Sequence, residues 1–208
     1  MLGTYVAQNA IDVSVSGTIA YLATGGVGLK VIDVSNPTLP VLLSTYAATN
    51  IRRVSTFKTT AAITESDGTI HMIDVDNPSG PTLIGLSTSF GSLALDIDIK
   101  ENIVYGAISS IGVGLLIIDF NNPKLPILLS VAVKQQIIGG NINFFRSGSI
   151  GYITDSAGFQ IIDLSSSTNL IFLGQYILKN SAGFDISVSE NIAYLAAGPA
   201  GLDRKSVV

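Results

Sequence analysis

The chain has 208 residues, of which 47% are apolar and 12% charged, and this composition supports a buried core and excludes a disordered chain. The net charge of −4 disfavours a nucleic-acid partner, and the absence of cysteine excludes disulfides, thiolate nucleophiles and cysteine-ligated metals. The sequence has no run of about 18 apolar residues, so we expect no membrane insertion.

One sequence segment recurs four times along the chain. It consists of an apolar-Tyr-apolar triplet, small residues and glycine, and an Ile-Asp pair, and it is clearest from Ile19 to Ser44 and from Ile103 to Ser130. The aspartates of the pairs are 41, 45 and 44 residues apart, and they are Asp33, Asp74, Asp119 and Asp163. A period in the low forties is typical of a β-propeller blade.

Each repeat divides into four predicted strands. In the first strand, Val13 and Val15 alternate with Asp12 and Ser14, as expected for a strand with two different faces. The second and third strands are apolar on both faces, which suits a sheet packed between two neighbouring sheets. Asn-Pro ends the third strand in three copies because proline cannot donate to a ladder, and a fourth strand follows. The second-strand tyrosines are Tyr21, Tyr105, Tyr152 and Tyr194.

Incomplete repeats flank the four complete ones. The phrase LGTY at the N-terminus matches LGQY at Leu173–Tyr176, which predicts that the chain opens inside a fourth strand. Residues 184–202 repeat two strands and a hairpin, but three charged residues begin at Asp203, where the other copies place mostly apolar residues. Burying unpaired charge is costly, so we interpret residues 203–208 as a non-native tail.

These features predict an all-β fold: a β-propeller of four complete four-stranded blades with a partial blade at each end, forming an open arc of a larger ring. The alternative is a five-bladed ring that lacks one strand and closes by pairing of the N-terminal strand with the two C-terminal strands. A single domain is expected over residues 1–202. Its blades are predicted at about 11–49, 51–90, 95–135 and 142–178, with partial blades at 1–9 and 184–202.

The phrases GLKVIDVSNPTLP and GLLIIDFNNPKLP give the chain a family resemblance. The sequence resembles the LVIVD-repeat proteins over nearly its whole length. This resemblance implies a β-propeller, usually in bacterial or archaeal proteins that are exported or attached to the cell surface. It implies no established catalytic activity and no defined set of site residues. An extracellular or cell-surface location is therefore expected, although the N-terminus shows no secretory signal.

The most interesting candidate site lies on the first strands. Polar residues occupy the position nine residues before the repeat tyrosine or its equivalent, and they are Asp12, Arg53, Asp96, Asn143 and Asp185. If first strands line the central channel of the propeller, these side chains converge on one axis and bind a cation or a polar ligand. The alternative is that they hydrate the channel or bond to neighbouring backbone.

Other candidate residues have structural interpretations. The single histidine, His71, takes the repeat position of Lys30, Leu116 and Gln160, so we interpret it as an ordinary strand side chain. The aspartates of the Ile-Asp pairs precede turns, where a carboxylate commonly accepts backbone N–H bonds. We expect no catalytic residue, cofactor or metal.

Two functions remain open. The first is a non-catalytic scaffold or interaction module that binds a protein or glycan partner through its loops. The alternative is a propeller enzyme with a site in the central channel, either a hydrolase with paired carboxylates such as Asp12 and Asp185 or a quinoprotein-like domain. The chain has no tryptophan, which disfavours sugar binding or a stacked quinone in the channel.

Overall fold

The computed structural model describes residues 3–89, 94–108, 114–133, 142–178 and 183–207. In this part of the chain every β-strand belongs to one of five sheets. The first sheet contains β1 (Asp12–Ser16), β2 (Ile19–Ala23), β3 (Leu29–Asp33) and β4 (Val41–Tyr46). The second contains β5 (Ile51–Phe57), β6 (Thr60–Glu65), β7 (Ile70–Asp74) and β8 (Thr82–Leu86). The third contains β9 (Ala94–Lys100), β10 (Ile103–Ile108), β11 (Gly114–Asp119) and β12 (Ile127–Val133).

The two remaining sheets complete the fold. The fourth sheet contains β13 (Phe144–Ser147), β14 (Ile150–Asp155), β15 (Gly158–Asp163) and β16 (Ile171–Ile177). The fifth contains β17 (Asp185–Ser189), β18 (Ile192–Ala196) and β19 (Leu202–Ser206), with a single 3₁₀ turn at Gly198–Ala200 before β19. In every sheet the strands lie side by side in chain order, as in a meander. The four four-stranded blades and the partial C-terminal blade are thus the repeat that the sequence predicts.

The first two strands of each sheet are joined by the same tight turn. One residue of each turn has a positive φ angle, between 52° and 62°, and these residues are Gly17, Lys58, Glu101, Gly148 and Glu190. A left-handed residue matches the right-handed twist of the flanking strands, which explains why short turns recur here. Three of the five are lysine or glutamate, so this turn does not require glycine.

The chain divides into two compact units, Met1–Val104 with Asp119–Ile127 and Tyr105–Ile118 with Leu128–Val208. In the first unit, apolar residues of the first two sheets form one core, which includes Tyr21, Leu29, Ile51 and Val54. In the second unit, the fourth and fifth sheets pack together through a core that includes Tyr152 and Phe159. The core of each unit therefore lies between successive sheets, which explains why second and third strands are apolar on both faces.

The repeat tyrosines occupy one equivalent position. Each is the third residue of the second strand of its sheet, in β2, β10, β14 and β18. Tyr21, Tyr105 and Tyr152 are buried and Tyr194 is half-buried. Burial raises the pKa of Tyr21 and of Tyr152, because the phenolate would lose hydration.

Both ends of the chain differ from the sequence prediction. Residues 3–9 do not form the expected strand. The fifth sheet has a third strand, β19, although its residues Asp203, Arg204 and Lys205 are charged. The charges are tolerated because β19 is an edge strand whose side chains stay at least partly exposed, and Lys205 Nζ lies 3.1 Å from Asp203 Oδ1. The burial penalty expected from the sequence does not arise.

Candidate functional site

In the first unit, the polar first-strand residues bond to the next blade. Asp12 accepts the Val13 N–H through Oδ1 at 2.9 Å and the Val54 N–H, on β5, through Oδ2 at 2.8 Å. Arg53 Nε lies 3.8 Å from Asp96 Oδ1 on β9, with both side chains partly exposed. Asp12 of the first blade thus contacts the first strand of the second blade, and Arg53 of the second blade contacts the first strand of the third.

The second unit repeats this arrangement. Asn143 donates from Nδ2 to the carbonyl oxygen of Phe184, just before β17. Asp185 accepts the Ile186 N–H at 2.8 Å. The structure thus joins these candidates along neighbouring first strands within each unit, and Asp12 and Asn143 bond to neighbouring backbone. Ligand binding by all five candidates stays a prediction.

Hydroxyl groups on the first strands reinforce these contacts, and sequence reasoning missed them. Ser14 Oγ lies 2.8 Å from Thr56 Oγ1, which joins β1 to β5. Ser55 Oγ accepts the Ile99 N–H at 3.2 Å and donates to Asp98 Oδ1 at 3.4 Å, which joins β5 to β9. The sequence feature that could have indicated these contacts is the alternation of small hydroxyl residues with apolar residues along the first strands.

The aspartates of the Ile-Asp pairs form turns. Each accepts the N–H of the residue two positions later, at 2.6 to 2.9 Å, from Ser35, Asp76, Asn121 and Ser165 respectively. Hydrogen bonds from Ser35 lower the pKa of Asp33, and those from Ser165 lower the pKa of Asp163, because they stabilise the carboxylate. This turn accounts for one aspartate per blade without invoking a ligand.

The Asn-Pro turn contacts the fourth strand of the preceding blade. Ser44 donates from Oγ to the Pro78 carbonyl oxygen at 2.6 Å, and Gly3 donates its N–H to the Pro37 carbonyl oxygen at 2.8 Å. A Cβ on Gly85 would lie 2.5 Å from the Pro123 carbonyl oxygen. Small residues at this fourth-strand position therefore allow the next turn to approach closely, so the Asn-Pro sequence does more than end a strand.

A tyrosine near the end of the fourth strand reaches the third strand of the next blade. Lys30 Nζ lies 5.9 Å from the ring centre of Tyr5, and Lys205 Nζ lies 4.7 Å from that of Tyr176. Tyr46 contacts His71 through a hydrogen bond, with its hydroxyl 3.1 Å from Nδ1. Lys30 and His71 occupy the same position of the third strand, whereas Lys205 lies two residues after the equivalent residue, Asp203. In the first two junctions, the repeat position that tolerates different residues is therefore a contact between blades.

His71 is the central residue of a polar cluster. Besides the Tyr46 hydroxyl, it faces Glu65, whose Oε1 lies 3.4 Å from Nε2. A carboxylate only accepts, so Nε2 of the neutral ring carries the proton and Nδ1 accepts from the Tyr46 hydroxyl. Burial lowers the pKa of His71, and the negative charges of Glu65 and Asp67 oppose that shift in part. Burial, assisted by Glu65, raises the pKa of Tyr46.

Protonation of His71 is expected to destabilise the fold. Its folded-state pKa lies below the unfolded value of 6.5, so its stabilising effect is full above pH 6.5 and is lost as the pH falls through the folded-state pKa. The free energy of unfolding, measured with urea between pH 7.5 and 5.5, should fall in the wild type. His71→Gln, which installs the residue of the fourth blade, should remove this component. Lys30→Gln, at the same repeat position, should leave it intact, and an unchanged pH profile in His71→Gln would contradict the assignment.

The fourth blade contains a small cavity of about 210 Å³. Its lining combines a carboxylate, two amides, two aromatic residues and apolar groups, from Asp155, Ala157, Phe159, Gln160, Gln175, Tyr176 and Ile177. Asp155 and Gln160 are buried, and Asp155 Oδ1 accepts the Ala157 N–H at 2.6 Å. The sequence analysis did not single out this cavity.

The described residues show neither a metal-binding cluster nor a membrane-spanning helix. Among them, no three His, Asp or Glu side chains are grouped so as to hold a metal ion. In the part of the chain that the structure describes, no helix has the length and apolar character needed to cross a membrane.

Solved structures share this fold. A computationally designed protein, Ika8, superposes with a TM-score of 0.71 at 14% identity, covering 95% of this chain and 58% of that one. A chain of the mitotic checkpoint complex gives 0.71 at 11% identity, over 99% and 64% of the two chains. PorZ, a surface component of the type-IX secretion system of Porphyromonas gingivalis, gives 0.61 at 19% identity, over 93% and 24%. At these identities the likeness shows the fold alone, and this chain spans little more than half of the designed protein.

The successive four-stranded meanders, with their recurring contacts from blade to blade, define a β-propeller repeat protein. The LVIVD repeat model matches residues 7–48, 61–88, 147–177 and 183–203, which is more than half of the chain. The chain therefore belongs to the LVIVD-repeat family. No curated protein matches it significantly.

Proposed function

We propose that this chain is a non-catalytic interaction module of an exported or cell-surface protein, and that it binds a protein partner through its loops. The observation that carries the proposal is a pair of equivalent leucines, Leu39 and Leu125, which are 65% and 69% exposed on the Asn-Pro turns of the first and third blades. A leucine that stays exposed contributes little to the stability of the fold, and the centre of a protein interface is rich in apolar side chains.

The turns hold these leucines in a defined conformation. The Leu39 N–H donates to the Asn36 carbonyl oxygen at 3.0 Å, and the Leu125 N–H donates to the Asn122 carbonyl oxygen at 2.9 Å. Asn36 Oδ1 also accepts the Thr38 N–H at 3.0 Å. A preorganised loop binds a partner at a smaller entropic cost than a flexible one, which favours these turns as contact points.

Further observations support a module of this kind. The solved structures of similar fold include a component of a protein assembly and a bacterial surface component. The LVIVD family resemblance points to exported or surface proteins. Against the enzyme alternative, the Asp12 carboxylate accepts two backbone N–H groups, those of Val13 and Val54, which gives it a structural role between two blades.

A glycan is the second candidate partner, and the cavity of the fourth blade favours it. Carboxylate and amide groups bond to sugar hydroxyls, and an aromatic face packs on the C–H groups of a sugar ring. At about 210 Å³ the cavity is smaller than an ordinary small-molecule pocket and suits a single sugar ring.

One binding experiment separates the two partners. The immobilised chain is presented with surface proteins of the cells that express it and, separately, with an array of defined glycans. We expect Leu39→Ser with Leu125→Ser to abolish capture of a protein partner, and Gln160→Ala with Gln175→Ala to leave it unchanged. The opposite pattern on the glycan array would favour the cavity. Val6→Ser, at an exposed residue outside both sites, is the matched control. Binding that survives both double variants would refute the proposal.

A further inference from the structure

Four of the residues that line the cavity of the fourth blade share one face of the sheet. Gln160 and Gln175 are directly paired across β15 and β16, and side chains of directly paired residues lie on the same face. Ile177 is two residues beyond Gln175, and Asp155 is two residues beyond Ile153, the partner of Gln160 on β14. Because alternate residues of a strand point to the same side, the carboxylate, the two amides and the Ile177 side chain belong to one face.

The same face of the second blade carries the His71 cluster. Gln160 has the repeat position of His71, three residues before the Ile-Asp aspartate, and Asp155 has the repeat position of Glu65. In the second blade, Nδ1 of His71 accepts from the Tyr46 hydroxyl of the preceding blade, and Nε2 lies 3.4 Å from Glu65 Oε1. The imidazole, the carboxylate and the phenol therefore satisfy one another there.

The fourth blade lacks these partners. Tyr46 follows Asp33 by 13 residues, whereas the residue at the same distance from Asp119 is Ala132, so the sequence offers no phenol for the equivalent contact. Gln160 is 6% exposed, and its side-chain amide has no hydrogen-bond partner among the described residues. Leaving a buried amide unpaired is costly, which favours a ligand that bonds to it.

Asp155 is the charged group of the cavity. It is 4% exposed, and its Oδ1 accepts the Ala157 N–H at 2.6 Å. In the part of the chain that the structure describes, no basic side chain forms an ion pair with it, whereas its counterpart Glu65 faces His71. Burial of a carboxylate without a cation is unfavourable, and an ammonium group would supply both a positive charge and hydrogen-bond donors.

We propose that the cavity binds a single amino-sugar ring, with its ammonium group on Asp155 and a ring hydroxyl on Gln160. This inference rests on the glycan candidate of the proposed function and names the class of sugar. A neutral sugar would leave the Asp155 charge without a cation, and a cyclic amine without hydroxyl groups would leave the Gln160 amide unpaired. The volume of about 210 Å³ is sufficient for a six-membered ring, since a cavity of about 150 Å³ holds benzene.

Titration of the purified chain, followed by calorimetry and saturation-transfer NMR, tests the proposal with four small ligands. Glucosamine is expected to bind at least about tenfold more tightly than glucose and N-acetylglucosamine, because neither of these carries an ammonium group at neutral pH. Cyclohexylamine has a ring and the charge but no hydroxyl groups, and it should also bind at least about tenfold more weakly than glucosamine. The comparison uses the wild-type chain, so it does not depend on the folding of a variant.

Two substitutions test the position of the ammonium group. Asp155→Asn removes the charge and keeps an acceptor oxygen for the Ala157 N–H, so it should weaken glucosamine binding about tenfold or more and leave glucose binding unchanged. Glu65→Gln, at the equivalent carboxylate of the second blade, is the matched control and should bind glucosamine like the wild type. Circular dichroism checks that both variants are folded.

Three results would overturn the proposal. They are equal binding of glucosamine and glucose, equal binding of glucosamine and cyclohexylamine, and glucosamine binding that Asp155→Asn does not alter. The first result would leave the cavity as a glycan site and remove only the ammonium contact, whereas a chain that binds none of the sugars would refute the glycan candidate as well. Capture of a protein partner through Leu39 and Leu125 is a separate measurement, which neither result affects.

Discussion

Replacing Phe159 by alanine is expected to lower the free energy of unfolding of the second unit by about 3–5 kcal/mol. The ring is 3% exposed and lies in the core between the fourth and fifth sheets. Its centre is 6.4 Å from that of Tyr152 and 5.7 Å from that of Tyr176. Removing it leaves a cavity between two sheets that cannot close without moving a whole blade, so the loss should be near the upper end of this range.

Urea unfolding followed by circular dichroism and tyrosine fluorescence measures the effect, since the chain has no tryptophan. The matched control is Phe172→Ala, at a phenylalanine on β16 that is 45% exposed. An exposed ring contributes little, so this change should stay within about 1 kcal/mol. Equal losses in the two variants would show that contact between the fourth and fifth sheets does not stabilise the unit.

The blades were predictable because one period carries several independent signals. The Ile-Asp pair, the Asn-Pro turn and the second-strand tyrosine recur together, and each has a local physical cause. A turn such as that of Asp33 needs only residues two positions apart, so a single sequence reveals it. Strand order follows as well, because short connections place successive strands side by side.

Contacts between blades were not predictable, because their partners are about 25 to 45 residues apart and vary in chemistry. Tyr46 is 25 residues from His71, and the equivalent Tyr5 meets Lys30 at the same position of the third strand. Because the chemical type of the partner changes from blade to blade, the sequence does not show that its position is constant. In the same way, the sequence singled out the polar residues of the first strands, whose ligand binding stays a prediction, but it did not show that Asp12 accepts the N–H of Val54 on the next blade.

The charged strand β19 shows where the burial argument failed. Sequence reasoning compared Asp203 and its neighbours with third strands that lie between two blades. The penalty for burying charge depends on the neighbour that removes water, and β19 is an exposed edge.

Adding a single methyl group at Gly85 is expected to destabilise the first unit by about 1–3 kcal/mol. A Cβ there would lie 2.5 Å from the Pro123 carbonyl oxygen and 2.8 Å from Pro123 Cβ, so the turn of the next blade has to move. The φ angle at Gly85 is not positive, so alanine meets no backbone strain of its own. The measured loss therefore reports only the close approach of the turn to the fourth strand.

Gly174→Ala is the matched control, because Gly174 holds the same position on the fourth strand of the fourth blade. A Cβ there meets nothing within 4 Å, so urea unfolding should show a change within about 0.5 kcal/mol or a slight gain in stability. If the Asn-Pro turn serves only to end a strand, the two substitutions will have the same effect. If the turn packs between blades, Gly85→Ala alone will lower the free energy of unfolding. Of the two glycines, only Gly85 lies in close contact with a turn of the next blade.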